Sequence, residues 1–164
     1  LRYTPADALL FINLHPQDLL DPELRRADTP LAAQAGRIVL EVTERASLEG
    51  VTQLKPTLAA LRELGFRIAV DDLGAGYAGL SSFALLEPEI VKLDMTLTRH
   101  IESSSVKQKL VGSLSRLCRE MGKTIVAEGV ETVAERDTLT ALGCELLQGH
   151  LFGRPGALPV PSDG

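Results

Sequence analysis

Residues 51–77 read VTQLKPTLAALRELGFRIAVDDLGAGY, and this stretch decides the fold class. Its apolar residues at helical spacing are Val51, Leu54, Leu58 and Leu61. They predict a helix with one apolar stripe, in which Pro56 is tolerated only near the start. Gly65 suits the left-handed position just past that helix, and a short β-branched run then leads to Asp71 and Asp72. This order predicts one repeating unit of a parallel α/β protein.

The same unit recurs along the chain. About six apolar, β-branched runs alternate with helical stretches. The predicted strands span residues 9–14, 38–43, 67–72, 90–94, 123–128 and 145–148. A second helical stripe consists of Val106, Leu110, Leu114, Leu117 and Met121. Gly122 and Gly143 are placed to end two further helices, and Thr132 with Glu135 predicts a capping box at a helix start.

Strands that are apolar on both faces indicate a parallel sheet covered by helices, so the predicted fold class is α/β. We expect one domain over residues 1–155, with a loop at 25–35 and a loose C-terminal tail at 156–164. A closed (β/α)₈ barrel needs eight strands and typically about 250 residues. With 164 residues and no initial methionine, the chain is expected to be a fragment. It is predicted to form either an open sheet or an incomplete TIM-like (β/α) barrel of about six strands.

Composition and charge exclude several classes of protein. Apolar residues make up 45% of the chain and charged residues 24%, which is typical of a globular domain. The net charge of −5 argues against binding long nucleic acid, and no apolar run approaches the roughly 18–20 residues of a membrane span. Cys118 and Cys144 have no metal-ligand spacing, so a reduced cytoplasmic setting is expected.

Polar residues that can support chemistry cluster at the carboxyl ends of the predicted strands, where parallel α/β folds build their sites. They are Asn13, Glu41, Glu44, Asp71, Asp72, Lys92, Asp94, Glu128, Glu131 and Gln148. Two carboxylates 4 Å apart repel by roughly 4 kcal/mol at an effective dielectric near 20, so a converging set must protonate, separate or bind cations. Oxygen ligands favour Mg²⁺ or Mn²⁺, and such a site beside one lysine suits phosphate esters.

Other interpretations apply to single residues. One acid at a strand end is usually a helix cap, but adjacent Asp71 and Asp72 would point to opposite faces of a regular strand. The GxGxxG pattern at residues 74–79 matches a dinucleotide fingerprint, although two carboxylates directly before it would repel a pyrophosphate. The three histidines, which we interpret as surface or packing residues, are His15, His100 and His150.

Taken together, the motifs resemble the EAL family of bacterial cyclic di-GMP phosphodiesterases. The matching segments are FINLHP, IVLEVTE, IAVDDLGAGYAGLSSF, EIVKLDMTL, IVAEGVET and LLQGHLFGRP, in the order and spacing of the family. The resemblance covers most of residues 9–155. It implies a (β/α) barrel with one antiparallel strand, and hydrolysis of cyclic di-GMP to linear pGpG with Mg²⁺ or Mn²⁺. Residues 1–155 are then expected to be part of an EAL-type phosphodiesterase domain.

The resemblance also implies a role for each matching residue. The metal-binding residues would be Asn13, Glu41, Asp71, Asp72 and Glu128. Lys92 would orient the attacking water and neutralise charge, and Glu128 would also serve in catalysis as the base. Glu44 would steady the glycine loop, while Glu131 and Gln148 would support the pocket.

One departure from the family bears on activity. The Glu-Ala-Leu segment of the family's first strand, which carries a metal ligand, does not occur in this sequence. Activity of this chain alone is therefore in question, and the alternative is a catalytically inactive module that binds cyclic di-GMP or another protein. The expected partners are cyclic di-GMP, a second copy of the chain and fused signalling domains, in the bacterial cytoplasm. No membrane contact is expected from this segment.

Overall fold

Six parallel strands lie side by side in the order in which they occur in the chain. The computed structural model describes residues 5, 8–43, 53–76 and 79–156, without the side chains of residues 79 and 80. The strands are β1 (Leu10–Leu14), β2 (Ile38–Thr43), β3 (Arg67–Leu73), β4 (Ile90–Leu93), β5 (Thr124–Ala127) and β6 (Leu146–Leu147). The prediction of a parallel sheet of about six strands is confirmed, and all five described pairings are parallel.

Helices connect these strands. They are α1 (Leu54–Glu63), α2 (Gly79–Leu86), α3 (Met95–Thr98), α4 (Ser105–Glu120) and α5 (Val133–Ala141). Pro56 is the third residue of α1, where its missing amide costs nothing. The predicted helix ends at Gly65, Gly122 and Gly143 have φ values of 102°, 66° and 90°, a region that residues with a Cβ rarely adopt. In the described residues, no helix is long and apolar enough to cross a bilayer.

The sequential strand order places the helices on one face of the sheet, because right-handed crossovers that always advance in one direction stay on one side. The large core accordingly joins alternate strand residues such as Ile68 and Val70 to helix residues such as Leu61 and Val111. The opposite strand face carries a separate small apolar cluster of Val39, Ala69, Ile90 and Val126. This is the architecture of a TIM-like (β/α) barrel, here with a sheet that is not closed.

The strand order also excludes the dinucleotide-binding alternative. A doubly wound fold reverses its strand order at the ligand-binding crevice, whereas the order here never reverses within the described residues. The family resemblance implies one antiparallel strand, but none of the six described strands is antiparallel. The GxGxxG glycines therefore form a loop at the end of β3 rather than a dinucleotide cradle.

Two local predictions need correction. The predicted loop at 25–35 is partly helical, since 3-10 helices Pro22–Arg25 and Ala32–Arg37 overlap its ends. Side-chain acceptors stabilise them: Asp21 Oδ1 accepts the amide of Glu23, and Thr29 Oγ1 accepts the amide of Ala32. These are local hydrogen bonds that residue composition alone does not distinguish from a loop.

The second correction concerns the orientation of α4. Its buried residues are Val111, Ser115 and Cys118, whereas most of the predicted apolar stripe lies on the exposed side. Small side chains let α4 approach its neighbours closely, since a Cβ on Gly112 would lie 3.3 Å from Leu142 in the segment after α5. Close packing on the small-residue face has outweighed burial of the larger apolar side chains.

Arg62 of α1 forms hydrogen bonds with the connection between α2 and β4, at the amino-terminal edge of the sheet. Its Nε lies 2.7 Å from Glu89 Oε1, and a second guanidinium nitrogen donates to the carbonyls of Leu86 and Glu87 at 2.9 Å. The other Glu89 oxygen accepts the amide of Ile68 at 2.7 Å. One half-buried guanidinium thus satisfies three acceptors from the connection between α2 and β4.

We expect Arg62→Ala to lower the free energy of unfolding by roughly 1–3 kcal/mol, because two carbonyls and a carboxylate lose a charged donor together. Urea unfolding measures this as a lower midpoint with an unchanged slope. Arg26→Ala is the matched control, since Arg26 also bridges two carboxylates but on the exposed surface. Equal shifts of the midpoint in both variants would contradict the assignment.

Candidate active site

Lys92 lies at the centre of the charged cluster. It projects from β4, is 7% exposed, and its Nζ lies 2.5 Å from Glu41 Oε1, 2.9 Å from Asp71 Oδ1 and 2.7 Å from Glu128 Oε1. The three carboxylates come from β2, β3 and the residue after β5. The parallel register brings them together, because it aligns Glu41 with Ala69, two residues before Asp71. A single ammonium thus joins the carboxyl ends of neighbouring strands.

Burial and charge act in opposite directions on these groups. Burial raises the pKa of Glu41 and of Glu128 above the usual value, and the Lys92 charge only partly offsets it. Burial alone would lower the pKa of Lys92, but the close carboxylates of Glu128, Glu41 and Asp71 outweigh it and raise that pKa. Lys92 therefore stays protonated at any physiological pH, while two of its carboxylate partners favour a shared proton or a bound cation.

A β-bulge directs both aspartates toward the same site. Val70 pairs with Val91 and Leu73 pairs with Leu93, so Asp71 and Asp72 together oppose Lys92 alone. Asp72 has a φ of 60°, a left-handed conformation that is rare outside glycine. The extra residue removes the alternation of a regular strand. Neighbouring carboxylates that the sequence predicts on opposite faces therefore converge.

Three carboxylates could hold a metal ion. Asp71, Asp72 and Glu128 each offer an oxygen, and these oxygens lie within 4.8 Å of one another. In the described part of the chain, Glu41 Oε1 and Asp71 Oδ1 are buried and have no aligned hydrogen bond, although both lie close to the Lys92 ammonium. One ammonium cannot neutralise all these carboxylates. Their hard oxygen donors therefore fit a divalent ion such as Mg²⁺ or Mn²⁺.

A cleft of about 700 Å³ adjoins this cluster. Its lining includes the acidic residues Asp72, Asp94 and Glu128 and the apolar residues Met95, Leu147 and Phe152. Arg99, Glu131 and His150 also line the cleft, and we call these three residues the cleft wall. Arg99 forms an ion pair with Glu131, which lowers the Glu131 pKa, and His150 Nδ1 lies 3.6 Å from the other Glu131 oxygen.

The remaining predicted residues are distributed around this cleft. Asn13 is exposed on β1 and pairs in register with Glu41, which places it beside the carboxylate cluster. Gln148 lines the cleft, and its carbonyl accepts the amide of Val130 at 3.0 Å. Asp94 is buried and caps α3, with Oδ1 accepting the amide of Thr96 at 2.8 Å. Glu44, expected to steady the glycine loop, lies outside the described residues.

Sequence reasoning missed part of the cleft. Arg99 follows α3 and Phe152 follows β6, so neither lies directly at a strand end. His150, interpreted from the sequence as a surface or packing residue, is 53% exposed, and it also lines the cleft close to Glu131. The usable signal was its position two residues after Gln148, a polar residue at a strand end.

The family model for the EAL domain matches residues 1–155, and the chain therefore belongs to the EAL domain family. It is 34% identical over 151 residues to the cyclic di-GMP phosphodiesterase PdeF of Escherichia coli, covering 90% of this chain and 20% of that protein. It is 35% identical over 143 residues to the cyclic di-GMP phosphodiesterase NbdA of Pseudomonas aeruginosa, covering 87% and 18%. The chain thus spans about a fifth of the length of these curated relatives.

Solved structures share the same fold. The manganese and cyclic di-GMP complex of Klebsiella pneumoniae BlrP1 at pH 6 matches with a TM-score of 0.83 and 40% sequence identity. The match covers 94% of this chain and 40% of that chain. A calcium and cyclic di-GMP complex of the same protein matches with a TM-score of 0.81. These relatives bind a divalent metal together with cyclic di-GMP.

Replacement of Lys92 tests the electrostatic account of the cluster. In metal-free buffer, we expect Lys92→Met to destabilise the fold by about 3–5 kcal/mol at neutral pH, because buried carboxylates lose their counter-charge. The pKa values of Glu41 and Glu128, already raised by burial, then rise further, so the folded state binds more protons than the unfolded state. The loss of stability should therefore shrink as the pH falls toward 5 and grow as it rises.

Urea unfolding at several pH values measures this effect. Lys123→Met makes the same change of charge at a lysine whose ammonium lies 3.5 Å from the Glu87 carbonyl, and it should show neither the loss nor its pH dependence. A Lys92→Met penalty that does not vary with pH would contradict the account.

Proposed function

We propose that this chain hydrolyses cyclic di-GMP to linear pGpG with bound Mg²⁺ or Mn²⁺. The observation that carries the proposal is the Lys92 ammonium among three carboxylates, next to a cleft about 700 Å³ in volume. A carboxylate cluster that could hold a metal ion suits a phosphodiester, and the apolar residues of the cleft lining suit a purine base. The relatives named cyclic di-GMP phosphodiesterases support this substrate.

Each side chain of the cluster receives a role in this proposal. The residues that would hold the metal are Asn13, Glu41, Asp71, Asp72 and Glu128. When bound, a divalent ion polarises a phosphoryl oxygen and lowers the pKa of a bound water. The Lys92 ammonium orients the attacking water and offsets the negative charge that builds up on the phosphate. Glu131 and Gln148 support the cleft wall, and Glu44 is proposed to steady the glycine loop.

The reaction balances with water as the only co-reactant. The water oxygen forms a bond to phosphorus, and the phosphorus–oxygen bond to one ribose breaks. Glu128 takes the proton that the water releases, and the leaving ribose oxygen finally gains a proton, so no net charge accumulates on the protein. Burial raises the pKa of Glu128, which brings its basicity closer to that needed for proton transfer near neutral pH.

Glu128→Gln removes the proposed base and one metal ligand while keeping the side-chain shape. We expect turnover of cyclic di-GMP to fall at least about a thousandfold in Mn²⁺ buffer, with an unchanged circular dichroism spectrum. Chromatography of the nucleotides measures pGpG formation directly. Glu145→Gln, an exposed glutamate next to β6, is the control and should retain full turnover.

The assay also separates the two candidate functions. Undiminished turnover in Glu128→Gln would contradict the proposed roles. A wild-type chain that binds cyclic di-GMP at every Mn²⁺ concentration but never forms pGpG would instead support a non-enzymatic binding module. Calorimetric titration of the wild-type chain with cyclic di-GMP distinguishes that case from failure to bind.

We further propose that the chain forms a homodimer through α4. The exposed stripe consists of Val106, Leu110, Leu117 and Met121, which are 74%, 45%, 41% and 49% exposed. The intervals between these four residues are the same in both directions along the helix. An antiparallel second copy would therefore set Val106 against Met121 and Leu110 against Leu117. Self-complementarity of this kind is what a two-fold symmetric interface requires.

Leu110→Asp places a charge in the proposed interface, and we expect it to weaken the dimer at least about tenfold. Size-exclusion chromatography with light scattering, over a range of concentrations, should give twice 17.6 kDa for the wild type and 17.6 kDa for the variant. Leu85→Asp alters an equally exposed leucine on α2 and should leave the dimer intact. A monomeric wild type at every concentration would contradict the proposal.

The wider setting follows from the relatives. Because the chain spans about a fifth of the length of PdeF and NbdA, we propose that it works as one domain fused to other signalling domains. The bacterial cytoplasm is the proposed location. Two cysteines that are free and buried, Cys118 and Cys144, are compatible with such a reducing compartment.

A further inference from the structure

Glu135 is a buried carboxylate whose contacts exceed those of a helix cap. It lies in the first turn of α5 with no exposed surface, and the predicted capping box with Thr132 is present. The capping box accounts for one amide, that of Thr132, at 3.1 Å from Oε2. The same oxygen also accepts the amide of Glu131 at 2.8 Å, and Oε1 accepts the amide of His100 at 2.9 Å. His100 lies 35 residues earlier in the chain, so Glu135 joins two separate segments.

These amides belong to the segments that form the cleft wall. His100 directly follows Arg99, and the Arg99 guanidinium forms an ion pair with the Glu131 carboxylate inside the cleft. His100 has a φ of 53°, an unfavourable backbone conformation for a residue with a Cβ. Glu135 therefore holds both members of the wall pair through their own or adjacent backbone, without contacting either side chain in the described hydrogen bonds.

Residues 148–151 form a third segment, which packs against Val130 next to Glu131. The amide of Val130 donates to the Gln148 carbonyl at 3.0 Å, and the amide of Leu151 donates to the Val130 carbonyl at 3.1 Å. A Cβ on Gly149 would lie only 2.1 Å from the Val130 carbonyl oxygen, so the two backbones are in direct contact. The segment that carries His150 is thus held against the backbone of Val130, next to Glu131.

Charge favours this arrangement. Burial would raise the pKa of Glu135, but hydrogen bonds from the three backbone amides and the nearby Arg99 charge lower it. The carboxylate is therefore ionised and acts only as an acceptor. Glutamine cannot replace it, because its NH₂ group would face an amide N–H on one side or the other.

We propose that Glu135 is a positioning residue that sets the Arg99–Glu131 pair on the cleft wall and thereby determines how tightly the cleft holds the guanine base of its substrate. The inference rests on the proposed function. Arg99 offers donors and Glu131 offers an acceptor. A guanine edge presents the complement, with acceptors at O6 and N7 and a donor at its amino group. Glu41 and Asp71 lie on other strands, and Glu128 is held by its own backbone contacts: its amide donates to the Leu93 carbonyl at 3.1 Å and its carbonyl accepts the Thr98 hydroxyl. The chemical step should therefore be little affected.

Glu135→Gln tests this inference. In the wild-type background, we expect the KM for cyclic di-GMP to rise about tenfold, while kcat stays within about twofold, as for loss of binding that is equal in ground and transition states. If the chain binds without turnover, Kd from calorimetric titration replaces KM. Mn²⁺ affinity without nucleotide should be unchanged, because Glu135 does not belong to the carboxylate cluster.

A double-mutant cycle distinguishes positioning from general support of the fold. If Glu135 acts through the wall pair, Glu135→Gln should have little further effect on KM in an Arg99→Gln background. Glu89→Gln is the matched control: Glu89 also pairs with an arginine and accepts a backbone amide, but at the opposite edge of the sheet. This control should lower stability without changing KM.

Three results would overturn the inference while leaving the proposed function intact. The first is a fall in kcat at constant KM in Glu135→Gln. The second is a KM in the double variant that equals the product of the separate effects of Glu135→Gln and Arg99→Gln. The third is that both Glu135→Gln and Glu135→Asp fail to fold. The last would show that the carboxylate serves the fold alone. A wild-type chain that neither binds nor hydrolyses cyclic di-GMP would remove the proposed function and this inference with it.

Discussion

The contact on which the site depends is that of the Lys92 ammonium with the carboxylates of Glu41, Asp71 and Glu128. Each of these groups is costly to bury alone, and removal of one partner leaves an uncompensated charge. Their mutual contact lets the carboxyl ends of neighbouring strands approach one another. Because Lys92 offsets only part of the negative charge, the cluster keeps carboxylate oxygens that could hold a divalent cation.

The backbone conformation of β3, and not only the charge of Lys92, brings the carboxylates together. The bulge in β3 gives Asp71 and Asp72 a common direction, and it requires the left-handed backbone of Asp72. A bulge next to a charged cluster re-aims a side chain without a change of sequence length elsewhere. The unusual conformation of Asp72 is therefore best explained by the site rather than by the fold.

Glu135 caps α5, and in our proposal it also positions the cleft wall. A capping box would satisfy only the first turn of α5, yet the Glu135 carboxylate reaches into two segments of the wall. The backbone of the wall is thus hydrogen-bonded to a residue that does not line the cleft. On the outer surface, α4 buries its small residues and leaves larger apolar ones exposed.

Much of the fold is readable from the sequence, because strand and helix periodicity depend on neighbours within a few residues. The six strands, the glycine-ended helices and the capping box at Thr132 all have such local causes. The polar residues at strand ends could likewise be named in advance, since parallel strands end at a common edge. Their proposed roles came from a resemblance to a family, not from spacing alone.

Tertiary structure decided what depends on contacts between distant segments. The choice of buried face for α4 depends on close packing beside α5, which a one-dimensional apolar stripe does not encode. The convergence of Asp71 with Asp72 depends on the pairing of β3 with β4, and the second role of Glu135 depends on an amide 35 residues away. By itself, the sequence determined the elements and the chemical groups at their ends. Only the folded chain decided which of those groups meet, because their meeting requires long-range packing to fix backbone direction.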